Sequence, residues 1–384
     1  MLAFVLHVLL VQVIVMAGRV TLSYRAIEIG ASALWIGLVG AAFSLLPLLL
    51  STAAGRRVDA SGARGAFLAG SLCLLLAAGG LVLRGDTVAV LLACSMLLGL
   101  GHVLCMLAQH AFMAGTGGTD GMDGRFAHYT AIVSLGQMIG PLFVALFGGA
   151  QSIPDTAGLF LFVAGLALAN LVASLAIPAE RPAPRSRAEP ALATTELLRL
   201  PGVATSVLAG LVVVCVVDLT VVYMPVLGAS ARLPAGVVAG LLTFRALVSL
   251  ISRLAITPAI RLVGRDALIV VSVGMTGAGL AMLGLPLPLE GFVAAMVLVG
   301  VGVGLAVPLT MSSLSGIVPP RSRGLALSLR LTGNRLAQFA VPASVGAFAG
   351  TISLPVAFVA LGVVVVGVAG HTHRATRRRL PPAG

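Results

Sequence analysis

The chain contains no lysine, a single tryptophan and three tyrosines, and only 9% of its 384 residues are charged. Water-soluble domains carry about 25% charged residues and about 45–50% apolar ones. Here the apolar set reaches 59% and the mean hydropathy is +1.11. So few charges cannot coat a surface that faces water, so most of this surface must face lipid. The 12 acidic residues are outnumbered by 24 basic ones, for a formal net charge of +12. In a soluble protein the resulting pI near 11.3 would point to nucleic acid. In a membrane protein the same excess reads as arginine retained on the cytoplasmic side, and no nucleic-acid partner is expected. The scarcity of aromatic rings counts against a cage for a cationic drug. The four cysteines (Cys73, Cys94, Cys105, Cys215) lie in apolar runs without C-x-x-C spacing. They read as small packing residues, and no metal site is expected.

A spanning helix needs about 20 mostly apolar residues. Runs of that kind lie at 4–24, 33–54, 66–84, 88–109, 127–148 and 157–177, and again at 202–224, 236–257, 266–284, 291–314, 325–350 and 353–370. The first is unbroken to Arg19 and has no basic leader, so it reads as a span and not as a cleavable signal peptide. Between the two sets lies a stretch rich in proline and charge. The expected organisation is a six-helix half at 1–177, a cytoplasmic linker at 178–201, a second six-helix half at 202–370 and a basic tail at 371–384. With the amino terminus inside, segments 55–65, 110–126, 178–201, 258–265, 315–324 and the tail hold 16 arginines. The opposite loops hold three, Arg25, Arg84 and Arg232. That asymmetry places both termini in the cytoplasm.

The two halves repeat. The first span ends Arg19-Val-Thr21-Leu-Ser-Tyr24 and the seventh ends Asp218-Leu-Thr220-Val-Val-Tyr223. Gly99-Leu-Gly101 in the fourth span answers Gly300-Val-Gly302-Val-Gly304 in the tenth, and Gly136-Gln137 to Pro141 in the fifth answers Gly333-Asn334 to Pro342 in the eleventh. Two such halves commonly enclose a binding site near mid-membrane. The glycine string at 300–304 reads as close helix packing and not as a phosphate loop, because no strand precedes it.

Gly55-Arg-Arg-Val-Asp59-Ala-Ser-Gly62-Ala-Arg64, between the second and third spans, resembles the G-x-x-x-D-x-x-G-x-R/K loop of the major facilitator superfamily. The resemblance covers the whole chain and implies an all-α membrane fold of twelve helices in two pseudo-symmetric sixes. It also implies that Gly55, Asp59, Gly62 and Arg64 form a cytoplasmic gating loop. The second-half copy, Arg261-Leu-Val-Gly264-Arg265, keeps the glycine and the base but lacks the aspartate. Gly136, Gly140 and Pro141 are similar to the pattern that the family uses mainly in proton-exchanging exporters. Here Ala127 stands at the upstream glycine and the closing pair, Gly148-Gly149, is displaced.

Charged side chains inside a bilayer are costly and usually face a cavity or a partner. Away from the span ends, six fall inside: Arg19, Asp218, Arg245, Arg253, Arg330 and Arg335. Arg253 and Arg330 are expected to snorkel to the cytoplasmic face. Arg19 and Asp218 hold matching places in the two halves, and a buried carboxylate there could carry a proton, although a structural role is equally open. Arg245 is a candidate anion contact, and Arg335, with Asn334 and Gln338, lies deep in the eleventh span. His102, Gln109 and Gln137 are candidate polar lining, a lone histidine being more often a packing residue. No clustered His, Asp and Glu suggest an enzyme, and no nucleotide motif suggests ATP. The sequence therefore predicts a monomeric secondary transporter of a small organic solute in a bacterial inner membrane. It would need no cofactor beyond a proton gradient and would work by antiport efflux. Proton symport of an organic acid or sugar is the alternative, and a transport-like sensor is a second one.

Overall fold

The computed structural model describes residues 1–115, 122–178, 194–319 and 322–377. Every regular element among them is helical, as the absence of water in a bilayer demands of an isolated spanning segment. The helices are α1 (Leu2–Glu28), α2 (Ala33–Ser61), α3 (Arg64–Arg84), α4 (Val88–Gly115), α5 (Met122–Phe147), α6 (Thr156–Leu175), α7 (Thr194–Arg199), α8 (Val203–Ser230), α9 (Ala235–Leu254), α10 (Ile256–Val263), α11 (Arg265–Leu283), α12 (Leu289–Ile317), α13 (Arg323–Thr351) and α14 (Leu354–Arg377). Eleven of these are long and apolar enough to cross a membrane. The twelfth long helix is α13, with 29 residues, whose apolar character is interrupted by Arg330, Asn334, Arg335 and Gln338. The twelve-helix expectation therefore holds, and the helix that misses the hydropathy standard is the one interrupted by two arginines, an asparagine and a glutamine.

Boundaries differ from expectation in three places. The stretch 55–61 is not loop: α2 continues to Ser61, so the turn shrinks to Gly62 and Ala63. The end of the linker folds into α7, whose Leu197 is fully buried against Val203, Leu314, Val318 and Ala326. A short helix that buries one leucine gains enough apolar contact to dock. Finally, α14 runs on to Arg377.

The chain forms two compact units, Met1–Arg185 with Val221–Thr243, and Ser186–Thr220 with Phe244–Gly384. In the first unit, the C-terminal end of α8 and the N-terminal part of α9, as far as Thr243, join the first six helices. A Cβ at Gly40 of α2 would lie 2.6 Å from Val222 Cγ2, and the Ala235 amide donates to the Gln151 carbonyl at 2.7 Å.

The sequence repeat has a packing counterpart in each unit. In the first, a side chain at Gly99 would strike the Phe43 carbonyl of α2, and one at Gly101 would lie 2.8 Å from the Gly70 carbonyl of α3. In the second, Gly300 faces the Arg245 carbonyl and Gly304 the Ser249 carbonyl of α9, while Gly302 faces the Ser272 carbonyl of α11. Thus α4 meets α2 and α3 as α12 meets α9 and α11. Lipid supplies no hydrophobic drive between helices, so close backbone approach at small residues does that work. The turns repeat as well: Gly62 (φ 85°, ψ 172°) precedes α3 and Gly264 (φ 82°, ψ 155°) precedes α11. These positive φ values favour glycine, which explains why both copies retain it.

Candidate functional site

Among the described residues of the second unit the deepest carboxylate is Asp218, midway along α8 and 2% exposed. The Gln338 side-chain amide of α13 donates to Asp218 Oδ2 at 2.6 Å. Arg335, one turn earlier on α13, donates from Nη1 to Gln338 Oε1 at 3.2 Å. Residues three apart on a helix share a face, which lets Arg335 orient the Gln338 amide. An amide has one donating and one accepting end, and both are used here. Arg245 of α9 is 7% exposed and within electrostatic reach of Asp218. Arg335 and Gln338 are only half-buried. Asn334 keeps a buried Oδ1 without a hydrogen bond beside them.

Arg330 does not snorkel. It is 2% exposed, donates from Nη2 to the Val307 carbonyl at 3.3 Å, and leaves Nη1 without a hydrogen bond. Gly210 of α8 makes the room: a Cβ there would lie 2.7 Å from Nη2. The guanidinium is trapped because α8 and α12 close over it, an outcome that span counting does not reveal.

In the first unit, Arg19 (7% exposed) lies over the Phe43 ring at 4.5 Å from its centroid. A cation over an aromatic face is attracted by the ring quadrupole. Phe43 in turn sits 5.7 Å, centroid to centroid, from His102, and the Gln12 amide nitrogen is 3.4 Å from His102 Nε2. Arg19 belongs to the first unit and Asp218 to the second.

The first unit also holds a chain of buried polar side chains that crosses five helices. Asn170 of α6 donates to Ser71 Oγ of α3 at 2.9 Å, and His7 Nε2 of α1 lies 3.3 Å from that oxygen. Gln109 of α4 contacts His7 Nδ1 through Nε2 at 3.1 Å and accepts from the Tyr129 hydroxyl of α5 through Oε1 at 3.0 Å. With the amide so oriented, Nδ1 is an acceptor and Nε2–H faces Ser71, which is neutral imidazole. Gln109, placed by sequence among candidate lining residues, is fully buried in this chain. His7, Gln12, Ser71, Tyr129 and Asn170 were not anticipated. The available signal was a strongly polar residue within an apolar run, but nothing in the sequence pairs one with another.

Among the remaining motif residues, two glycines of α5 make close helix contacts. A Cβ at Gly136 would lie 2.6 Å from Gln12 Cβ, and one at Gly140 would lie 2.5 Å from Met16 Cβ, so both glycines seat α5 on α1. Pro141 follows within α5, and Gln137 is half-buried. Gly55 has nothing within 4 Å of a would-be Cβ. Arg64 donates to the Ile177 carbonyl at 3.4 Å, just past the end of α6 where unsatisfied carbonyls favour a cation. Asp59 belongs to α2, and its side chain lies outside the described residues. Among the described residues no three His, Cys, Asp or Glu side chains are grouped to hold a metal.

The sequence matches the model of the Major Facilitator Superfamily over residues 6–288. The chain belongs to the Major Facilitator Superfamily. It is therefore a multi-pass membrane protein of a secondary-transport family and not an enzyme. No curated protein matches it. Solved structures of the same fold include a POT family transporter in complex with a thioalcohol-conjugated peptide (TM-score 0.76, 15% identity, 98% of this chain and 96% of that one). The nucleoside transporter NupG aligns at TM-score 0.78 and 14% identity over 98% of each chain. A D-xylose-proton symporter aligns at 0.72 and 14% over 94% of this chain and 95% of that one. At these identities the likeness is one of fold.

Proposed function

We propose that this superfamily member moves a small organic solute by alternating access, coupled to protons through Asp218. The observation that carries the reading is a carboxylate buried to 2% midway along a spanning helix and tied through Gln338 to a half-buried guanidinium. Burying a charged carboxylate in a membrane is expensive, so a site that keeps one has a use for its two protonation states. The arginine asymmetry of the sequence supports insertion in a bacterial inner membrane with both termini cytoplasmic. Gly136 and Gly140, which the family resemblance links to exchange, have a sufficient cause in their contact with α1.

The test uses proteoliposomes loaded with a pH-sensitive dye and challenged with peptides, nucleosides, sugars and organic acids. A solute that moves protons in the wild type and fails to do so in Asp218→Asn supports the assignment. Unchanged proton-coupled flux in Asp218→Asn refutes it.

A further inference from the structure

We propose that α10 lies in the headgroup layer of the membrane and binds an anionic phospholipid, with Leu262 and its apolar neighbours among the acyl chains and Arg261 and Arg265 on the lipid phosphate. The site lies wholly within the second unit and is independent of the solute carried and of proton coupling.

The helix joins two spans, α9 and α11, and its eight residues reach about 12 Å, too short to cross a hydrocarbon core of about 30 Å. Ala255 separates it from α9, and Gly264, with φ 82°, ends it. Pro258 is its third residue, where the missing amide hydrogen costs no intrahelical bond. At about 3.6 residues per turn, Ile256, Ala259 and Ile260 fall on one face, and all three are half-buried. Pro258 and Leu262 share a second face, which is open, and Arg261 lies beside them. No residue of α10 is buried.

The chemistry of the open face says what covers it. Leu262 is 85% exposed, Leu254 at the end of α9 is 79% exposed and Val263 55%. Water expels apolar side chains so placed, and both flanking helices are spans, so the acyl region reaches the two ends of α10. Arg261 and Arg265 stand on either side of Gly264 and both are exposed. Arg265 donates through Nη1 to Ser312 Oγ of α12 at 3.3 Å, which anchors the guanidinium while its other N–H groups can meet a phosphate. Asp266 is the exposed acid beside them, so the three side chains sum to one positive charge. A zwitterionic headgroup also carries a phosphate, but its ammonium meets that same positive charge; an anionic headgroup brings no such opposition. One net charge at a membrane surface corresponds to about a fivefold preference for anionic lipid.

The experiment places an indole on α10 of the full-length protein. Leu262→Trp is made in a Trp35→Phe background, which removes the single native tryptophan, and the protein is reconstituted in phosphatidylcholine vesicles. Brominated phosphatidylglycerol or brominated phosphatidylcholine is then added in increasing fraction, since acyl-chain bromine quenches only an indole that meets the chains. Half-maximal quenching should need about fivefold less brominated phosphatidylglycerol than brominated phosphatidylcholine. That preference should shrink in about 0.5 M sodium chloride, which screens exposed charges. Arg261→Gln with Arg265→Gln should abolish the preference and leave quenching by brominated phosphatidylcholine unchanged. Leu76→Trp in the same background, at an exposed position in the uncharged middle of α3, should be quenched equally by both lipids. Unquenched, water-like emission from the Leu262→Trp protein overturns the membrane placement. Equal quenching by the two lipids, a preference that survives loss of both arginines, or the same preference at Leu76→Trp overturns the anionic site.

Discussion

Gln109 is fully buried and joins His7 to Tyr129, so replacing it by leucine removes two hydrogen bonds while nearly conserving volume. Were the partners left unpaired in a rigid apolar interior, each would cost about 1–3 kcal/mol. In bilayers the measured worth of an interhelical bond averages about 0.6 kcal/mol and reaches about 1.7, because the unfolded chain also finds partners there. Two bonds thus set an expected loss of about 1.2–3.4 kcal/mol for Gln109→Leu. Tyr129→Phe removes only the hydroxyl and should cost about 0.6–1.7 kcal/mol. In the Gln109→Leu background the Tyr129 hydroxyl no longer has that acceptor, so Tyr129→Phe should cost little or regain stability. Reversible unfolding in mixed detergent micelles, with all four proteins of the cycle, reads the coupling directly. If the single costs add to within about 0.5 kcal/mol, the two residues are independent and the buried chain is not a cooperative unit.

Three other expectations follow from particular contacts. Gly99→Val should leave little monodisperse protein after extraction, since even a Cβ there overlaps the Phe43 carbonyl, whereas Gly55→Ala should keep or slightly raise the melting temperature because nothing lies within 4 Å. Arg330→Met should match or exceed the wild-type melting temperature, as it removes a buried charge bonded to one carbonyl and fills similar space; a marked drop would mean that the guanidinium is better satisfied than its contacts indicate. Asp155 accepts from the Ala157 and Gly158 amides at 3.1 Å each and caps α6, so Asp155→Ala should cost about 1 kcal/mol and Asp155→Ser should recover most of it in the same unfolding assay.

Composition and periodic apolar runs were enough for the membrane class, because lipid tolerates few charges and spanning segments must be helical. The motif residues Gly55 to Arg64 were enough for the family, and the glycine pairs announced the internal repeat. Gly62 and Gly264 show why such signals are local: a positive φ favours glycine wherever the chain folds. Other features depended on what stands opposite a residue in space. Arg330 looked able to reach the membrane surface, and only the approach of α8 at Gly210 and α12 at Val307 reveals it as buried. Gly136 and Gly140 looked like a functional signature, and the structure supplies α1 as their partner. His7, Ser71, Gln109, Tyr129 and Asn170 are spread over five helices, so no spacing rule could join them. Asp218 was visible as a rare buried acid, but its link through Gln338 to Arg335 spans 120 positions between α8 and α13. Hydropathy is a property of each segment and is written in sequence; hydrogen-bond partnership between helices is a property of packing, and tertiary structure alone decided it.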